Sequence, residues 1–430
     1  MRRWRPALLG TLLCAALLTG CSPSNGLLKE ETDLLEAPLR LQQQEQLLDA
    51  VYTYLGGVTL KYPMGSDSVS PFLTWDADGD GREELLVTYQ NAAKSKNVQL
   101  AVLRQAADDG WYAAHMDIEG AAGELDGLHT VRLADGSDCL LVGYQEPAGQ
   151  DWIVCLYQWQ NGALREQTRL QCQQYVLYDF NGDGYLQLAM VQRNETHGML
   201  QLRTFTFADG QTEELLQEKS VTTLDSRFEH CTWLSAEELS AAEKALVMDF
   251  SDGDGNSLGE VMSYALGRFV RCYTQDAVNI PNFTARPFDG LRPMDVDGDG
   301  VTELPRMEAR ALGSLTNTRR YLVSWYAIGA QSQQLRACSV VNMAAGYLTL
   351  VPVEWNGLVS LQEEGGGIWS IRDMATGSRM AQYQLTAGHA SAEYQLIGDT
   401  GQKRLYLQCA DTLSAQERTT LAEGFRLLYL

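Results

Sequence analysis

The sequence predicts a mainly β chain: a β-propeller-like domain of about five blade-like modules, followed by a small C-terminal α+β domain. An aspartate-rich loop recurs along the chain, flanked by apolar or alternating runs of strand type, such as Phe72-Leu73-Thr74-Trp75 and Leu85-Leu86-Val87-Thr88-Tyr89. The module starts, near residues 72, 127, 175, 246 and 291, lie 45 to 71 residues apart, about what four short strands and their turns require. A length of 430 residues is also too great for one core, so more than one unit is expected.

Taken in order, residues 1–20 read as a signal peptide. Arg2, Arg3 and Arg5 form a positive start, and the apolar run Ala7–Leu18 covers 12 residues. That is too short for a helix to cross a hydrocarbon core of ~30 Å. The run ends in Leu18-Thr19-Gly20-Cys21, which resembles the bacterial lipobox, where a peptidase cuts before a cysteine that carries diacylglycerol. Small residues fit the narrow protease site, and a thiol is the nucleophile that takes the lipid. The resemblance implies a lipid anchor at Cys21, a tether over 21–34, and a place on the outer face of a bacterial cell membrane. Residues 35–62 carry helical apolar spacing over 39–56 and are expected to pack on the first blade.

Residues 63–344 hold the repeats. The first loop is Trp75-Asp76-Ala77-Asp78-Gly79-Asp80-Gly81-Arg82-Glu83-Glu84, the second Tyr178-Asp179-Phe180-Asn181-Gly182-Asp183-Gly184-Tyr185-Leu186-Gln187, and the third Met294-Asp295-Val296-Asp297-Gly298-Asp299-Gly300-Val301-Thr302-Glu303. Leu128–Gln145 repeats the strands of the first module with the ligands replaced by Val131, Leu133 and Cys139, a blade without a metal. Val247–Gly255 reads as a long hairpin, and Ser235-Ala236-Glu237-Glu238 as a capping box opening a helix to about Leu246. Residues 345–430 lack the loop; strand-like runs and a last capping box, Ser414-Ala415-Gln416-Glu417, with a helix to about Leu427, suggest an α+β domain.

Each aspartate loop places carboxylate or amide oxygens at positions 1, 3 and 5, a glycine at 6 for the sharp turn, and Glu84, Gln187 or Glu303 at position 9. Position 7 (Arg82, Tyr185, Val301) would contribute its carbonyl. Hard oxygens at alternate positions suit Ca²⁺, and crowded carboxylates without a cation would repel one another. An EF-hand needs a bidentate glutamate at position 12, where this chain has Val87, Met190 and Arg306. The pattern instead resembles the FG-GAP and VCBS-type repeats of integrin-like propellers. That resemblance implies two to three structural calcium ions, the second loop being the weakest because Gln187 is neutral.

A net charge of −22 argues against nucleic-acid binding, which needs basic stripes. Past Cys21 seven cysteines remain with no C-x-x-C pair, so buried thiols are expected, with room for a Cys231–Cys272 disulfide. The five histidines, 115, 129, 197, 230 and 389, fall in no catalytic motif. These features favour a calcium-stabilised, lipid-anchored binding or scaffold protein recognising a protein or glycan. The alternative is an extracytoplasmic hydrolase acting on polysaccharide or peptide at the propeller mouth or domain junction. Two facing carboxylates in a cleft outside the three loops would favour it.

Overall fold

The computed structural model describes residues 47–428, apart from 66–69, 107–109, 148, 150, 209–214, 241–242, 253–256, 273–290, 307–319 and 330–331. The expected signal peptide, the lipid-carrying Cys21 and the tether lie outside the described residues. None of the described helices is long and apolar enough to cross a membrane.

Among the described residues six antiparallel sheets follow one another, formed by strands within residues 59–119, 124–172, 174–223, 230–271, 303–351 with 425–427, and 359–409. The second, third and fourth sheets are plain meanders of four consecutive strands. One strand of each of the first four, Glu84–Gln90, Asp138–Gln145, Gln187–Arg193 and Glu243–Ser251, is mostly buried and carries a continuous apolar run. It is covered on both faces, which continuous runs such as Leu85-Leu86-Val87 require.

The cores lie between successive sheets. Trp75, Leu86 and Val102 meet Leu140, Val142 and Tyr157 between the first and second. Leu141 and Val154 meet Leu188 and Met190 between the second and third. Phe180 and Leu202 meet Leu246 and Phe250 between the third and fourth. Val247 and Val261 meet Leu304 and Ile328 in the next layer, and Val340 and Tyr347 meet Trp369 and Tyr383 in the last. This is blade-on-blade packing, and the chain is β-propeller-like. Among the described residues no core cluster joins the first sheet to the sixth.

The helix over 47–55 packs Leu47, Val51 and Leu55 against Leu85, Val87 and Leu103 of the first sheet, as its spacing predicts. The second module is a blade whose turn, at Asp135-Gly136-Ser137, is closed by the Ser137 amide donating to Asp135 Oδ1 at 3.0 Å. All seven described cysteines are free thiols, so Cys231 and Cys272 form no disulfide.

Two expectations are corrected. The segment Ser235–Leu246 is not a helix: it lies in strands His230–Ser240 and Glu243–Ser251, which pair antiparallel. Local capping chemistry loses to long-range contacts. Leu246, Val247 and Met248 are fully buried between neighbouring sheets, Glu238 accepts from Tyr178 Oη at 3.0 Å, and Glu237 accepts from Thr302 Oγ1 at 2.8 Å. The boundary at 344/345 also falls inside a sheet. Strand Tyr347–Val351 pairs with Ser332–Asn342 after a turn capped by Asn342, and the terminal strand Phe425–Leu427 returns to its other edge. The remaining C-terminal part is α+β as expected, a sixth antiparallel sheet with helix Ala415–Glu423 held by the Ser414–Glu417 capping box.

Candidate functional site

The three aspartate loops fold alike. In the first, Asp76 Oδ1 accepts from the amides of Gly79 (2.8 Å) and Asp80 (3.1 Å), and Asp76 Oδ2 from Gly81 (2.9 Å). Asp179 makes the same three bonds to residues 182–184, and Asp295 to residues 298–300. Both glycines of each loop have left-handed φ, between 72° and 86°, which side chains resist. The position-9 residue reaches back in all three: Glu84, Gln187 and Glu303 accept from the amides of Ala77, Phe180 and Val296 at 2.7, 2.7 and 3.0 Å.

The donor sets then diverge. Arg104 lies on the first loop, its Nη2 2.7 Å from Asp78 and 2.9 Å from Asp80, its Nε 3.1 Å from Glu84. Burial raises the Glu84 carboxyl above its usual range, against the pull of the Ala77 amide and Arg104. In the second loop Gln187 Nε2 donates to Tyr185 O at 2.6 Å and Asn181 Oδ1 at 3.2 Å, and Asn181 Nδ2 donates to Asp183 at 2.8 Å. Neutral amides have taken the oxygens a cation would use.

In the third loop Asp295, Asp297 and Asp299 each bring one oxygen within 4.8 Å of the others. Glu303 is fully buried, and its Oε1 has no hydrogen-bond partner. Burial, aided by the three aspartates, pushes its carboxyl up to about 7. Three aspartates and an unpaired buried carboxylate oxygen fit a hard divalent cation; Asp76, Asp78 and Glu84 bring their oxygens equally close in the first loop, where Arg104 already pairs with Asp78 and Glu84. In that role the ion would hold a loop; it would supply no chemistry.

A different set of groups meets at the opposite ends of the strands. In a meander, the turn between strands one and two lies at one end and the turn between two and three at the other. Glu146, Asp151, Gln171, Gln173, Arg193, Glu229 and His230 line a cleft of about 590 Å³ there, at the ends of strands of the second, third and fourth sheets. A second depression of about 740 Å³ continues it past Asp151 and Arg193 to Gln192, Asn194 and Arg203. Gln173 is buried and fixed, its Oε1 accepting from the Cys231 amide at 2.9 Å. Arg193 is tied to Gly198 O at 2.6 Å and to Glu229 O. The cleft thus presents three carboxylates, an imidazole and a row of amides. Its acids come from two separate blades, Glu146 and Asp151 from one turn of the second sheet and Glu229 from the start of the fourth, and nothing local in the sequence marks them as one site.

A polar cluster lies deeper, between the first strands of the second and third sheets. Tyr175 Oη donates to Asp126 Oδ2 at 2.5 Å, over Gly127 and Gly143, which face each other across the strands. Burial holds Asp126 above the usual carboxylate range, the Tyr175 hydrogen bond pulling the other way. The facing glycines are a signal of close approach that a strand-by-strand reading passes over.

No protein-family model and no curated protein sequence matches this chain. Among solved structures it is similar to a rhamnogalacturonan lyase of Bacillus licheniformis, at 12% identity and a TM-score of 0.32, covering 82% of this chain and 74% of that one. An α-L-arabinanase of Penicillium chrysogenum gives 11% and 0.29 over 83% and 98% of the two chains. An endo-arabinase from Bacteroides thetaiotaomicron gives 10% and 0.27 over 66% and 97%. At such TM-scores any chemistry has to come from this chain's own residues. The expectation of a binding or scaffold protein is corrected to this extent: the similar chains are named as polysaccharide-active enzymes and not as binding proteins.

Proposed function

We propose that this chain is an extracytoplasmic hydrolase acting on polysaccharide, held to the outer face of a bacterial membrane by lipid on Cys21. The single observation that carries the reading is the open cleft lined by Glu146, Asp151 and Glu229. Glycoside hydrolysis needs one carboxyl to protonate the leaving oxygen and a second to act as base or nucleophile. Three acids in one cleft can supply both. Gln171, Gln173, Gln192 and Asn194 add donors and acceptors in pairs, which suits sugar hydroxyls, and the elongated opening suits a polymer. The anchor rests on the Leu18-Thr19-Gly20-Cys21 sequence and the short apolar run before it.

The test is release of reducing ends from a panel of neutral and acidic polysaccharides by the purified chain. Replacing a reacting carboxylate, as Glu146→Gln, Asp151→Asn or Glu229→Gln, is expected to lower kcat by about 100-fold or more with an unchanged melting temperature. Cleavage of no polysaccharide, or full activity in the triple variant, would sink the reading. Cys21→Ser is expected to move the protein from the detergent-extracted to the aqueous phase in a two-phase partition; wild type already in the aqueous phase would remove the anchor.

A further inference from the structure

We infer that the chain binds one divalent cation of the calcium type, at the third loop alone, because a side chain of the protein already fills the cation's place in the other two. The cross-strand register shows why. The position-9 residue begins the second strand of its blade, and the third strand places one residue directly opposite it. Opposite Gln187 stands Thr206, and opposite Glu303 stands Ala327. In the first sheet Leu85 faces Leu103, so Glu84 faces Arg104.

That one position decides each loop. From opposite Glu84 the guanidinium of Arg104 reaches Asp78, Asp80 and Glu84, all at 3.1 Å or less, and supplies a fixed positive charge with donors aimed at the ligand oxygens. Thr206 carries no charge, and the second loop closes on itself through the Gln187 amide, which donates to the Tyr185 carbonyl and Asn181. Ala327 ends at its Cβ. Among the described residues no basic side chain reaches the third loop's carboxylates, and the buried Glu303 Oε1 is left without a partner. A fully buried carboxylate oxygen left unpaired is costly, and a cation bridging it to Asp295, Asp297 and Asp299 removes that cost.

The experiment is calcium titration calorimetry, with elemental analysis, on the full chain purified in detergent and stripped with chelator. One Ca²⁺ per chain is expected for wild type, and none for Asp295→Ala. Ala327→Arg, which moves the guanidinium to the third loop, is expected to bind none and to melt at a temperature independent of calcium. Arg104→Ala, which frees the first loop, is expected to bind two. A wild-type count of zero, two or three would overturn the assignment. So would a count of one in a folded Arg104→Ala or Ala327→Arg chain. Should Arg104→Ala fail to fold, the wild-type and Ala327→Arg counts still decide.

Discussion

Trp369→Ala is expected to lower the unfolding free energy by about 4 kcal/mol, the upper part of the range for deleting a buried aromatic. The indole is only 1% exposed and stacks on Tyr383 with ring centres 4.1 Å apart and planes 4° from parallel. The Arg320 guanidinium also lies over the ring, 5.5 Å from its centre, and is itself paired with Glu363. Truncation therefore leaves a cavity, breaks a ring stack and strips a buried cation of its aromatic cover. These groups belong to the core shared by the fifth and sixth sheets, so the loss falls on the junction between them. The indole N–H has no partner, so Trp369→Phe removes an unsatisfied donor along with some volume and is expected to cost far less, about 1 kcal/mol. Equilibrium urea unfolding of both variants checks this. A loss below about 1 kcal/mol for Trp369→Ala would mean that the two sheets do not depend on one another through this ring.

What could be read in the sequence was what is local. The three aspartate loops were legible because all their ligands, from Asp76 to Glu84 or Asp295 to Glu303, fall within nine consecutive positions. The buried second strands were legible because a run such as Leu85-Leu86-Val87 has no polar face to offer water. Arg104 was invisible for the opposite reason. It becomes part of the first loop only through strand register, 20 residues further on from Glu84, and no spacing rule announces it. The cleft acids show both cases: Glu146 and Asp151 share one turn of the second sheet, but Glu229 joins them only through the stacking of the sheets. The two misread elements fail in the same way. A Ser-x-x-Glu pattern at 235–238 has helix chemistry, but the Leu246-Val247-Met248 run that follows it is buried as a strand between two blades. The end of the aspartate loops near 344 resembled a domain boundary, yet the Tyr347–Val351 strand completes the sheet already begun.

The second large effect is expected at Gly143, where alanine should cost about 3 kcal/mol through overpacking and the loss of a charged hydrogen bond. A Cβ there would stand 2.0 Å from Tyr175 Oη and 3.1 Å from Asp126 Oδ2. Tyr175 packs against the core between the second and third sheets, and an added Cβ at 2.0 Å forces its hydroxyl away from Asp126. The pH dependence separates this from a general packing defect. Burial raises Asp126 above its ordinary value of 3.8, so the fold favours the protonated acid more than the unfolded chain does. An acid shifted upward contributes stability in full below its unfolded pKa and loses it as pH rises through the folded one. Wild type is therefore expected to lose stability relative to Asp126→Asn as pH climbs from 3.8, since the amide still accepts from Tyr175 but does not titrate. In the Gly143→Ala background the same Asp126→Asn change is expected to alter that slope by a different amount, because the tyrosine no longer reaches the carboxyl and only burial remains. Urea midpoints for the four chains across acid pH measure this directly. Parallel profiles for wild type and Asp126→Asn would show that Asp126 titrates alike in the folded and unfolded chain, and would overturn the upward shift by burial.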